Sequence, residues 1–118
     1  MRLVRRLVRG IPVIGLVENA EIVVGNCAAF RSSFEELMEE GDRQVVFDGS
    51  AADFFDSAGM GSLLWLKKYL GRSGGELIVA GLTRSVSEIF RVVGFDTVFR
   101  IYGDVDEAVR SQSVEIGG

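Results

Sequence analysis

Asp56 and Ser57, which open the stretch "DSAGMGSLLWLKKYL", are the residues best placed for chemistry. An acid, a hydroxyl, a small residue and two spaced glycines stand directly before a strongly apolar helical pattern. At about 100° per residue, Met60, Leu63, Leu64, Leu66, Lys67 and Leu70 cover one broad side of a helix, the core-facing side. The spacing predicts a helix over 57–70 with Ser57 at its N-cap, Gly59 and Gly61 keeping the first turn free of bulk. A helix N-terminus has unpaired N–H groups and a partial positive charge, so it accepts an anion. A phosphate on Ser57 would meet those donors and set about two negative charges beside Asp56 and near Asp53. A docked partner would then meet a different surface. On the residues alone two readings stand, a capping serine and a modified one.

Other chemistries lack their residues. The chain has no histidine and one cysteine, Cys27, so the usual metal sites and the Ser/Cys-His forms of nucleophilic catalysis are absent. Cys27 has no partner for an internal disulfide, which points to the reducing cytoplasm, and it reads as a small core residue. Asp53 and Asp56 lack a second cluster that would make them acid/base or metal groups. The glycines of "GRSGGE" precede a strand and no Gly-Lys-Ser/Thr follows, so they are not a phosphate loop. A net charge of -4 argues against general nucleic-acid binding. The longest uncharged apolar run, "GIPVIGLV", is far short of the roughly 20 residues a bilayer requires, and no membrane insertion is expected. Glu18 and Glu21 arrive before any signal-peptide pattern is complete, so export is not expected.

The elements that must position Ser57 follow from punctuation and periodicity. "IPVIGLV" reads as a strand bounded by Gly10 and Glu18. "NCAAFRSSFEELMEEG" reads as a helix capped by Asn26, with Ala29, Phe30, Phe34, Leu37 and Met38 as its apolar stripe and Gly41 as its stop. Gln44 to Phe47 and Glu76 to Ala80 read as buried strands around the Ser57 helix. "SVSEIFRVVGF" opens on a Ser85/Glu88 capping box and breaks at Gly94. "DTVFRIY" reads as a last strand and "DVDEAVRSQ" as a short helix with acids in its first turn. Strands alternating with helices mean an α/β sheet with largely parallel strands. Residues 1–10 fit either a basic edge strand turning at Arg9-Gly10 or a short amphipathic surface helix; the edge strand is preferred, since so short a helix is marginal. Arg2, Arg5, Arg6 and Arg9 make this segment cationic, while Glu35, Glu36, Glu39, Glu40, Asp42, Asp48, Asp53 and Asp56 are opposed only by Arg43 in their stretch. Trp65 and Tyr69, four apart and away from the stripe, suit either an exposed interface anchor or a pair covered by a neighbouring element.

"VVFDGSAADFFDSAGMGSLLWL" resembles the signature of the STAS domain family, the anti-sigma factor antagonists: an apolar strand ending in Asp, a spacer, then Asp-Ser-small-Gly-aliphatic-Gly. "GGELIVAGL" and "VSEIFRVVGFDTVFRIYGDVDEAV" continue the same order, so the resemblance covers 45–109 well and the earlier region loosely. It implies a single domain over 1–118 with a mixed, mostly parallel sheet of four to five strands and about four helices. It also implies a non-enzymatic, cofactor-free binding protein of the cytoplasm. Its partner would be an anti-sigma factor serine kinase that binds the unphosphorylated form and is released when Ser57 is phosphorylated. The implied partner surface is Asp56, Ser57, Ala58, Gly59, Met60 and Gly61, with Trp65 and Tyr69 further along. The sequence departs from the family pattern at Val23, where many members carry an acid near the serine, at Ala20 in place of a glycine, and at Arg84, near which a proline is usual. STAS domains also serve membrane anion transporters, lipid-transport complexes and stressosome-like scaffolds, which is the alternative role.

Overall fold

The first six strand residues alternate between the two faces of the sheet's edge. Leu3–Val8 (β1) runs antiparallel to Ile11–Leu16 (β2) through the two-residue turn Arg9-Gly10, both at positive φ as a type I′ hairpin turn requires. The edge-strand expectation for residues 1–10 is therefore met. In a computed structural model that describes residues 1–117, with side-chain surroundings through Gln112, the chain then builds two sheets. β2 leads through Ala20–Ile22 (β3) and the helix Cys27–Leu37 (α1) to Gln44–Asp48 (β4). β4 continues into Ala52–Phe55 (β5), then Ser57–Gly71 (α2), Glu76–Ala80 (β6), Arg84–Val92 (α3), Ile101–Tyr102 (β7) and Val105–Gly117 (α4). The main sheet has the order β1-β2-β4-β6-β7, parallel after the first hairpin, and β3 pairs with β5 in a separate two-stranded ribbon.

Parallel strands need crossovers, and crossovers that all move one way across a sheet with the preferred right hand put their helices on one face. Phe30 and Phe34 of α1, Leu63 and Leu66 of α2 and Val86 and Phe90 of α3 accordingly share one core with Val45, Phe47, Leu77 and Val79. The alternate strand residues Val13, Val46, Ile78 and Ala80 meet Ala108 and Val109 of α4 on the opposite face. Phe47 lies at the centre of the larger core, fully buried, with the rings of Phe30, Phe34 and Phe55 at 5.7, 6.1 and 6.3 Å.

Several local expectations are corrected. α1 ends at Leu37, before Gly41, and Ala29 is exposed while Cys27 is half-buried against the core. The cap of α3 is Thr83, whose hydroxyl accepts from Val86 N–H at 3.3 Å, in place of the Ser85/Glu88 box; Glu88 pairs with Arg91 at 2.6 Å. "DTVFRIY" is mostly a turn: Gly94 at φ 81° ends α3, Phe95–Thr97 is a 3-10 turn, and only Ile101–Tyr102 is strand. Phe95 packs between Phe90 and Phe99, at 5.4 and 5.5 Å, which draws this segment off the sheet. The cationic start and the acidic stretch are less separate than their sequence positions suggest. Arg5 is bidentate on Asp42 at 2.8 and 3.1 Å and reaches Glu39 at 3.4 Å, while Arg6 lies 3.8 Å from Asp48.

Candidate functional site

The serine and its acid sit where β5 hands over to α2. The N-cap is Asp56, one residue earlier than the sequence suggests, and Ser57 is the first residue of the helix proper. The Asp56 carboxylate accepts from Gly59 N–H at 2.8 Å through Oδ1 and from Val24 N–H at 2.9 Å through Oδ2. One side chain thus closes the helix end and ties it to the loop between β3 and α1. Serine could have capped the helix with one oxygen, but holding two separate donors takes a carboxylate.

The loop is itself braced. Asn26, placed at the N-cap of α1, makes no capping bond; its Oδ1 accepts from Val23 N–H at 2.9 Å and its Nδ2 donates to the Glu21 carbonyl at 2.8 Å. The turn therefore holds its shape with Val23 half-buried and Val24 75% exposed beside the helix end. Val23 precedes the residue that Asp56 holds and supplies no charge there. Asp53, the other nearby acid, accepts from Asn19 at 2.9 Å.

With the cap filled, the Ser57 side chain is exposed and its hydroxyl has no hydrogen-bond partner among the described residues. Ala58 is half-buried, and Gly59 and Met60 turn into the core. The two glycines behave oppositely. A Cβ on Gly59 would stand 1.9 Å from the carbonyl oxygen of Ile22, so α2 rests directly on the backbone of β3 there. A Cβ on Gly61 would meet nothing within 4 Å, although a glycine inside a helix costs about 0.5–1 kcal/mol against alanine. Ser62, one residue on, is buried and donates to the Gly59 carbonyl at 2.7 Å.

Trp65 and Tyr69 are not gathered with the serine. They lie about 12 and 18 Å further along the axis at 1.5 Å per residue. Their rings stack at 5.1 Å and 17°, with the Arg31 guanidinium of α1 over Trp65 at 4.5 Å. Trp65 is half-buried in the seam between α1 and α2, and Tyr69 keeps an exposed edge. Among the described residues, no group of three His, Cys, Asp or Glu could hold a metal ion, and no helix is long and apolar enough to cross a membrane.

The electrostatics follow from the cap. Hydrogen bonds from Gly59 N–H and then Val24 N–H hold the Asp56 carboxyl below the usual carboxylate range. Partial burial pushes Asp42 up, but the bond and charge of Arg5 and the Glu39 N–H outweigh it, so that this carboxyl too ends low. A carboxyl that binds its proton more weakly when folded stabilises the fold above its unfolded pKa of about 4, and loses that contribution as pH falls through the lower folded value. Urea unfolding at pH 6 and pH 3 should therefore show an acid loss in the wild type that is smaller in Asp56→Asn. Asparagine can still cap Gly59 but cannot accept from Val24 with its second atom. Equal acid losses in the two proteins would sink this account of Asp56.

Known proteins share this fold. A STAS domain family model matches residues 8–108. The candidate anti-sigma factor antagonist BtrV of Bordetella bronchiseptica is 30% identical over 76 residues, which span 64% of this chain and 66% of that protein, just under two thirds of its length. The solved anti-sigma factor antagonist of Mycobacterium paratuberculosis superimposes with a TM-score of 0.79 at 21% identity, covering 93% of this chain and 92% of its own. The murine anion transporter Slc26a9, in its inward-facing state, contains the same fold, with a TM-score of 0.78 at 15% identity over 89% of this chain and 18% of the transporter.

Proposed function

The chain belongs to the STAS domain family, and from that premise we propose that it is a protein-binding regulatory switch of the anti-sigma factor antagonist kind. In this reading the Asp56–Gly61 end of α2 binds an anti-sigma factor serine kinase in the cytoplasm, and phosphate on Ser57 releases it. The chain acts by binding and catalyses nothing itself. Trp65 and Tyr69 serve mainly to pack α1 on α2, with the exposed edge of Tyr69 as the outer margin of the partner surface.

One observation carries the reading: Ser57 stands exposed at a helix start whose cap is already filled by Asp56, so its hydroxyl has no task inside the fold. A phosphate there would gain from the positive end of the helix dipole. It would also lie beside the Asp56 carboxylate, and the combined charge would oppose any partner that had packed against a neutral hydroxyl.

The test is to incubate the chain with ATP and a panel of anti-sigma factor serine kinases and to map phosphate by mass spectrometry. One phosphate on Ser57, lost in Ser57→Ala, is the expected result, together with kinase binding that Ser57→Asp weakens by at least tenfold. No phosphate from any kinase, with Ser57→Asp binding as the wild type does, overturns the switch.

A second reading has its own observation, the same fold within an anion transporter. The chain would then be an accessory module of a membrane transport or scaffold complex, with Ser57 unmodified. Recovery of transport subunits alone in a pull-down, unaffected by Ser57→Asp, would favour it.

A further inference from the structure

The two edges of the main sheet differ. β7 is two residues long and offers a newcomer almost nothing to pair with. β1 is six residues long, keeps an unbroken register with β2, and has no proline or bulge to blunt it. In an antiparallel ladder, alternate residues direct their N–H and C=O groups toward the neighbour and away from it. Val17 N–H donates to the Arg2 carbonyl at 2.9 Å, which sets the phase. Arg2, Val4, Arg6 and Val8 therefore bond to β2, and the main-chain groups of Leu3, Arg5 and Leu7 point outward. The edge is also held in place. The Arg5 side chain binds Asp42 at 2.8 Å and the Leu37 carbonyl at 3.0 Å, which fastens β1 to the end of α1.

The device that guards this edge is its charge. Arg2 and Arg6 share one face of β1 on either side of Val4, which is 47% exposed. Arg6 is about half exposed and only 3.8 Å from Asp48. The exposed side chains of Arg2, Arg9 and Arg43 make no ion pair among the described residues, and Arg9 and Arg43 line one hollow at the hairpin end. On the other face Arg5 is already neutralised by Asp42 and Glu39. A second copy fits badly. The antiparallel alignments that pair most of β1 with another β1 set Arg5 opposite Arg5 or Arg6 opposite Arg6, and like charges directly opposite destabilise a pair. The same charges favour an acidic strand.

We propose that β1 is a second interaction surface, which takes an acidic extended segment of a partner protein as an added strand. Acids of that segment lie opposite Arg2 and Arg6, and an apolar residue lies opposite Val4. The outward main chain of Leu3, Arg5 and Leu7 supplies the binding, and the arginines select the partner. The inference goes beyond the Ser57 reading and stands without it, since no residue of β1 belongs to the Asp56–Gly61 end.

The test uses a fluorescein-labelled peptide Glu-Thr-Val-Thr-Glu, flanked by threonines, and its counterpart with lysine for each glutamate. Both are titrated with the full chain, to about 1 mM, by fluorescence anisotropy. The wild type should bind the glutamate peptide at least about tenfold more tightly than the lysine peptide, and Arg6→Glu should reverse the preference. Leu7→Pro should weaken binding by about tenfold or more with a melting temperature within about 3 °C of wild type. The N–H it removes points away from β2, where an edge strand tolerates proline. Amide NMR shifts should centre on β1, and Ser57→Asp should bind as the wild type does. No binding of the glutamate peptide, equal binding of both peptides, or shifts centred on the start of α2 overturns the proposal. So does a folded Leu7→Pro that binds fully, and so does a dimer in sedimentation that Leu7→Pro dissolves, since a second copy would then hold the edge. If Leu7→Pro unfolds, the charge reversal and the shifts decide. Each of these failures leaves the Ser57 switch standing.

Discussion

Gly59→Ala should lower the melting temperature by roughly 10 °C, the effect of overpacking on the order of 3 kcal/mol in a chain of this size. The new methyl would stand 1.9 Å from the Ile22 oxygen and 2.8 Å from its carbonyl carbon. Both are backbone atoms of β3, held in the ribbon with β5, and cannot swing aside as the end of a long side chain would. Relief to an ordinary carbon–oxygen contact requires a shift of on the order of 1.5 Å between α2 and β3. That shift pulls the Asp56 main-chain N–H off the Ile22 carbonyl, now 3.4 Å away, and strains the tie from Asp56 to Val24. Thermal unfolding checks the first consequence, and the rate of Ser57 phosphorylation checks the second. A melting temperature within 2 °C of wild type would show that α2 does not rest on β3 in this way. One motif therefore holds two glycines with opposite expected signs.

Phe47→Ala should cost about 3–5 kcal/mol, as large buried aromatic truncations do. The side chain is fully buried and its ring is the one that touches both the α1 pair, Phe30 and Phe34, and Phe55 at the base of the Ser57 helix. The gap left by its removal is bounded by other rings and by sheet backbone, so it can close only in part. Domains have about 5–15 kcal/mol in total, and a loss of this size removes much of it. Denaturant titration should show a midpoint far below wild type with a similar slope, and Phe47→Leu should recover most of the difference. A loss below about 1.5 kcal/mol for the alanine variant would mean that the ring is not the centre of the core.

The strands of the main sheet and the start of α2 were readable because their signals are local. Branched runs between turn residues mark β2, β4 and β6, and the apolar repeat from Met60 to Leu70 marks α2. What escaped was decided by distant partners. Asp56 and Ser57 are both good caps, and the choice between them depends on Val24, whose N–H needs a second carboxylate oxygen from 32 residues away. The ribbon strands are three and four residues long, too short to show a period, and their pairing becomes visible only once Ile22 and Phe55 are seen buried together. Phe95 to Phe99 is β-forming in composition, yet ring contacts to Phe90 favour a turn. The Arg5–Asp42 pair spans 37 residues, so the apparent charge segregation of the linear chain is partly neutralised once it folds.

The site was legible as a place sooner than as a mechanism. Its motif points to Ser57, but only the filled cap shows that the hydroxyl is idle, and only the space around each glycine tells Gly59 from Gly61.

The strand order β1-β2-β4-β6-β7 follows the order of the chain, with β3 and β5 set apart in their ribbon. Each new strand joins the outer edge of those already made, and none has to be threaded between two that are paired. On a ribosome, which releases about 5–20 residues per second, such a sheet can grow by accretion from the first hairpin outward. The Ser57 helix lies on the crossover from β4 to β6, so it is synthesised after the strands it rests on and before the second half of the sheet. The surface read as the switch therefore needs no later strand to be inserted beneath it, while α4 covers the opposite face.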